Sequence, residues 1–161
     1  MAVNTVTHLN FHGEARAALE FYGEVFGGTT TIITYGDFGM PADLPDAGYV
    51  VWGQVVSGNG FHVMAYDVPS SAGDGLASGE RSGAGRSTQR ENGMTVTTEP
   101  FFVSVRGDDV EEVGKHWEKL ADGATVVEPY GPAQWAPAFG MLTDRFGITW
   151  ILDVAAHHPE S

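Results

Sequence analysis

Three side chains able to bind a metal or move a proton sit on segments that alternate like strands. They are His8 in HLNF (8–11), His62 in FHVMAYD (61–67) and Asp153 in ITWILDV (148–154). Imidazole nitrogens and carboxylate oxygens are the donors that a chain without cysteine offers a divalent ion, and one imidazole alone can act as a general base. Strand parity decides which side each faces. In the first strand Leu9 and Phe11 turn to the core, leaving Val6, His8 and Asn10 on the other side. The same count groups His62, Met64 and Tyr66 on their strand. It groups Phe102, Ser104 and Arg106 opposite Phe101, Val103 and Val105, which should pack under a helix. On the last strand it groups Thr149, Ile151 and Asp153. A strand histidine is weak evidence for a ligand, so His8 and His62 read first as hydrogen-bonded wall residues. Their second reading is as catalytic candidates or, with Asp153, as a fallback metal set.

A binding pocket is the better use of these side chains. The polar members of its predicted lining are His8, Asn10, His62 and Ser104; Trp52, Tyr66, Phe102 and Ile151 supply the apolar wall. Trp135 and Met141 can extend that wall. Such a mixture suits a flat or partly apolar molecule rather than a phosphate or a highly charged sugar.

The elements that must position these residues come in two copies. The first runs HLNF (8–11), Gly13, EARAALEFYGEVF (14–26), Gly27-Gly28 and TTTII (29–33). The second runs FFVSV (101–105), Gly107, DDVEEVGKHWEKL (108–120), Gly123 and ATVV (124–127). Ala15, Ala18, Leu19, Tyr22, Val25 and Phe26 recur at helical spacing, as do Val110, Val113, Trp117, Leu120 and Ala121. Asp108, with Glu111 three residues on, predicts the second helix start. Strands 49–56 and 61–67 flank Ser57-Gly58-Asn59-Gly60, a hairpin signal. Segments 36–48 and 128–138 read as proline- and glycine-bearing loops, with strands at 139–144 and 148–154 closing the second copy. Each copy is therefore β-α-β-β-β, and neither can bury its apolar face alone. The predicted fold class is α+β, with paired βαβββ modules forming a curved mixed sheet around a pocket and helices on the outer face. The first module is 1–68 and the second 99–161. Residues 69–98, rich in Gly, Ser and Thr, read as a flexible linker or lid.

Composition narrows the class. The 161 residues suit one domain or two small modules, and 42% hydrophobic content supports a packed core. Eight Lys and Arg against 21 Asp and Glu give a formal charge of −13, which repels nucleic acid and anionic membrane. It adds a mild preference for a cationic ligand. No segment reads as a membrane span or a signal peptide, so a cytoplasmic protein is expected. Gly83-Ala84-Gly85 follows no strand and is not read as a phosphate loop. His157 and His158 read as a solvated tail.

Paired βαβββ modules resemble the vicinal oxygen chelate superfamily, which includes glyoxalase I, bleomycin resistance proteins and extradiol dioxygenases. HLNFHGEARAALEFYGEVFGG and FGMLTDRFGITWILDV resemble the opening and closing of its PhnB-like branch. GFHVMAYDVP and GDDVEEVGKHWEKLADGATVVEPYGPAQW match its pattern between them. Some relatives bear a ubiquinone-pathway methyltransferase name, but no glycine-rich turn here follows a strand in that manner. In metal-using members the resemblance implies four ligands on the concave side of the sheet. Carried over, these positions fall near Val6 or Thr7, near Met64 to Tyr66, near Pro100 and near Ile151, none of them a good donor. Where such relatives often place a histidine before Gly-Gln, this chain has Val51-Trp52-Gly53-Gln54. The expected function is small-molecule binding without the usual metal and with no cofactor, by a protein that the resemblance implies to be a homodimer. The alternatives are a divalent-metal-dependent glyoxalase- or dioxygenase-type enzyme with displaced ligands, and a metal-free isomerase using a histidine base.

Overall fold

The computed structural model describes residues 3–70 and 87–156. The chain divides into two compact units, Met1–Arg81 and Ser82–Ser161, each with its own sheet. In the first, β1 (Thr7–Phe11) leads to α1 (Ala15–Phe26), β2 (Thr29–Thr34), β3 (Val50–Val56) and β4 (His62–Asp67). The sheet order is β1-β4-β3-β2, with β1 parallel to β4 and the other pairs antiparallel. All six residues of the predicted α1 stripe are buried. They cover the sheet face that carries Leu9, Phe11, Val55, Val63 and Ala65. Gly53 lies on that face because a Cβ there would run into the Leu19 Cδ1. The 36–48 segment is a loop with one short 3-10 turn at Gly36–Phe38.

In the second unit a hairpin, β5 (Thr88–Glu91) and β6 (Met94–Thr97), precedes the module. β7 (Val103–Gly107), α2 (Val110–Leu120), β8 (Thr125–Ala133), β9 (Ala136–Thr143) and β10 (Thr149–Val154) follow. The order β7-β10-β9-β8, with β7 parallel to β10, repeats the first topology strand for strand. Gly140 occupies the place of Gly53: a Cβ there would come within 2.8 Å of the Trp117 ring. Two βαβββ modules of α+β class are thus present, as the repeat predicts.

The helix starts differ between the copies. α1 has no cap from its own N-cap residue, Glu14. Instead Asp67, at the end of β4 and 1% exposed, accepts the amides of Gly13 at 2.7 Å and Ala15 at 3.0 Å through Oδ1. Its Oδ2 accepts the Val50 amide at 2.9 Å. One buried carboxylate therefore ties the helix start to β3 and β4. α2 is capped locally: Asp109 accepts the Glu112 amide at 2.8 Å. The predicted cap, Asp108, lies one residue too early, because helical geometry begins at Val110. Val110 is 45% exposed and does not belong to the buried stripe.

Three further expectations are corrected. Phe101 is 58% exposed rather than packed under a helix, because β7 begins at Val103. The 128–138 segment is not a loop: β8 runs to Ala133 and β9 resumes at Ala136. β8 is the outer strand of its sheet and its register slips repeatedly, leaving Pro129 and Pro132 outside the paired positions. Lastly, residues 88–97 of the 69–98 segment form the β5–β6 hairpin. Its turn, Asn92-Gly93, has φ of 51° and 78°, the left-handed pair that tight hairpins demand. Gly83-Ala84-Gly85, His157 and His158 lie outside the described residues.

Candidate functional site

Each sheet has one face under its helix and one face without a helix. On the first, register places His8 beside Met64 and Asn10 beside Tyr66, with Gln54 beside Met64 from the other side. Trp52 pairs with Ile33 and lies two residues from Gln54, opposite the helix-facing Gly53. His8, Asn10, Trp52, His62 and Tyr66 therefore share the helix-free face of one sheet; for His8, Asn10, His62 and Tyr66 this is the side parity predicts. His8 and Asn10 are exposed, and the other three are half-buried.

Hydrogen bonds organise this face. His62 Nε2 lies 2.9 Å from Gln54 Oε1, and His8 Nδ1 lies 3.2 Å from Asn10 Oδ1. When the ring nitrogen is the donor in each, His62 Nδ1 and His8 Nε2 are left as acceptors. The His8 ring meets Tyr66 edge-on, with centroids 5.3 Å apart. Near the end of this sheet the Tyr35 hydroxyl donates to the Asp67 carbonyl at 2.8 Å. Burial, then the neighbouring Tyr66, Asp67 and Asp46 charges, raise the Tyr35 phenol above its ordinary value. The face can stack a ring on Trp52 and offer directed acceptors beside it.

On the second sheet, Ser104 pairs with Ile151 and Ile151 with Met141, all on the helix-free face. Phe102 stands just before β7 on the same parity. Asp153, 4% exposed, is held on both oxygens by Arg106, with Nε at 3.0 Å and a terminal nitrogen at 2.8 Å. That bonding raises the Arg106 pKa further. Asp153 is consequently committed to a cation already. Among the described residues no three His, Asp or Glu side chains gather into a metal-holding group. The positions carried over from metal-using proteins fall at Val6 or Thr7, at Met64 to Tyr66, at Pro100 and at Ile151, none of which holds a His, Asp or Glu.

Sequence reasoning missed Gln54, although its parity with Trp52 is readable. It also missed Glu99, whose Oε2 accepts the Thr149 hydroxyl at 2.6 Å and the Thr88 hydroxyl in a short bond. Trp135 stands at the β8–β9 turn, 55% exposed, edge-on to Phe139 at 5.2 Å.

The sequence model of the glyoxalase/bleomycin resistance protein/dioxygenase superfamily matches residues 5–152, spanning both modules. The chain belongs to this superfamily. Protein YjdN of Escherichia coli strain K12 is 24% identical to this glyoxalase-superfamily chain over 160 residues, covering 94% of it and 95% of YjdN. The crystal structure of protein PA1353 from Pseudomonas aeruginosa is similar at a TM-score of 0.71 and 28% identity, covering 96% and 98% of the two chains. The PhnB protein from Bacillus cereus shares the fold at a TM-score of 0.64 and 23% identity, covering 95% and 100%.

Proposed function

We propose that this member of the superfamily binds a small, flat, partly apolar molecule and does so without the divalent ion its metal-using relatives employ. The observation that carries the reading is the helix-free face of the first sheet. Trp52, Met64 and Tyr66 present half-buried apolar surface there, and the His62–Gln54 and His8–Asn10 pairs give directed polar contacts. Aromatic surface with a few convergent polar groups is what small-molecule sites use. On the second module Phe102, Ser104 and Ile151 repeat that mixture on a smaller scale. The formal charge of −13 favours a cationic over an anionic ligand.

The test is a thermal-shift screen of flat aromatic and heteroaromatic compounds, with and without added zinc, nickel or manganese. A hit should quench tryptophan fluorescence equally with metal and with chelator. Trp52→Ala should weaken it by about 2 kcal/mol, roughly thirtyfold in Kd. Stabilisation that requires metal, or a ligand held at full strength by Trp52→Ala, would overturn the reading.

A further inference from the structure

Asparagine is followed by glycine at two places in the chain, Asn59-Gly60 and Asn92-Gly93. Both steps lie in hairpin turns, both are exposed, and both glycines have positive φ, 98° and 78°. A glycine has no Cβ to obstruct the approach of its backbone nitrogen to the asparagine side chain before it. Sequence and access to water are therefore alike at the two steps. Hydrogen bonding is not.

The Asn59 amide is fastened at both ends. Its Oδ1 accepts the Ser57 hydroxyl at 2.6 Å and the Phe61 amide at 3.0 Å, and its Nδ2 donates to the Phe26 carbonyl at 3.4 Å. The Gly60 amide donates to the Ser57 carbonyl at 3.3 Å. Phe61 stacks on Phe26 with centroids 4.0 Å apart, which pins this turn to the end of α1. The other step has none of this. Among the described residues neither the Asn92 side chain nor the Gly93 amide makes a hydrogen bond. A Cβ on Gly93 would meet nothing within 4 Å. β5 and β6 form a sheet of only two strands, the kind of element that opens readily and lets a turn peptide rotate.

We propose that Asn92 is a deamidation site of this chain, and that Asn59, in the same dipeptide, is protected by its hydrogen bonds. Hydroxide takes the Gly93 amide proton, and the nitrogen bonds to the Asn92 Cγ. The bond from Cγ to Nδ2 breaks, and ammonia leaves with a proton from water, which restores the hydroxide. The product is a cyclic imide, a succinimide. Water opens the ring at either carbonyl and leaves an aspartyl or isoaspartyl residue at position 92, with a new carboxylate and no change of oxidation state. The isoaspartyl form adds a methylene to the main chain, so Glu91 and Met94 no longer close a two-residue turn. The register that sets Arg90 opposite Thr95 is lost with it. That register holds Arg90 3.0 Å from the Thr95 hydroxyl and 5.9 Å from the ring centres of Trp135 and Phe139.

The test ages the intact protein at mildly alkaline pH and follows its tryptic peptides by mass spectrometry, with fragmentation that separates isoaspartyl from aspartyl products. Peptide 91–106 carries Asn92 and peptide 17–81 carries Asn59. Asn92 should convert faster by about tenfold or more, because several hydrogen bonds must break before the ring can close at Asn59. In urea the two rates should converge. Ser57→Ala should speed conversion at Asn59 and leave Asn92 unchanged. Equal or faster conversion at Asn59 in the folded protein, or a gap that persists in urea, would overturn the proposal. So would an Asn59 rate that Ser57→Ala does not move. Hydrogen exchange of the isoaspartyl form should show residues 88–97 losing protection; a hairpin protected as before would overturn the consequence drawn for Arg90.

Discussion

At the residue scale, Asp67 shows how one side chain can hold a module together. It accepts three backbone amides, from Gly13, Ala15 and Val50, while almost wholly buried. A buried donor left without its acceptor costs about 1–3 kcal/mol. Asp67→Ala should therefore destabilise the first module by roughly 3 kcal/mol or more, measured by urea unfolding. Tyr35 gives the pH dependence. Its phenol is raised in the folded protein, chiefly by burial, so the contribution of the neutral form is complete below about pH 10, the unfolded value. That contribution is lost as pH climbs through the folded value. Tyr130 is raised in the same direction, by burial and then by Asp109. The urea midpoint should thus fall as pH climbs above about 10, and Tyr35→Phe should reduce the fall.

At the scale of elements, the glycines mark where backbones approach. Gly28 has φ of 119°, and a Cβ there would strike the Val56 carbonyl oxygen. Gly28→Ala should cost roughly 1–3 kcal/mol, because both the conformation and the contact are backbone-to-backbone. Gly58→Ala meets nothing within 4 Å and should stay within about 0.5 kcal/mol of wild type. Thermal melts of the two variants check the pair. The elements legible in the sequence were those with a strong period. The α1 stripe appears residue for residue, and parity grouped His8 with Asn10 and His62 with Tyr66 on the face away from the helix. Two elements were hidden by composition. The prolines of β8 look like a loop until the strand is known to be an outer one. The β5–β6 hairpin lacks the usual buried apolar side, so only Asn92-Gly93 marked it. Glu99 was missed for a related reason: its partners come from the hairpin and from β10, and no spacing within one segment brings them together.

At the scale of the whole molecule, the repeated topology and the superfamily match agree. Nothing in the described residues includes a helix long and apolar enough to cross a membrane. Two predictions belong here. Protein purified without added metal should carry well under one equivalent of zinc, nickel, manganese or iron by elemental analysis, since the positions that would ligate hold Val6, Pro100 and Ile151. Light scattering at micromolar concentration should give the mass of a homodimer, about twice 17.2 kDa. Exposed Phe38, Met94, Phe101 and Trp135 are the kind of apolar surface that pairing would cover. The two helix caps carry a consequence for how the chain is made. Asp109 leaves the ribosome beside the helix it caps, so α2 can begin from its own sequence. α1 is translated first, yet its acceptor lies 52 residues beyond Ala15. The amino-terminal module must therefore wait for nearly its whole length to emerge before its own helix can be fastened, and during that interval the apolar stripe of α1 is the surface a nascent-chain chaperone would meet.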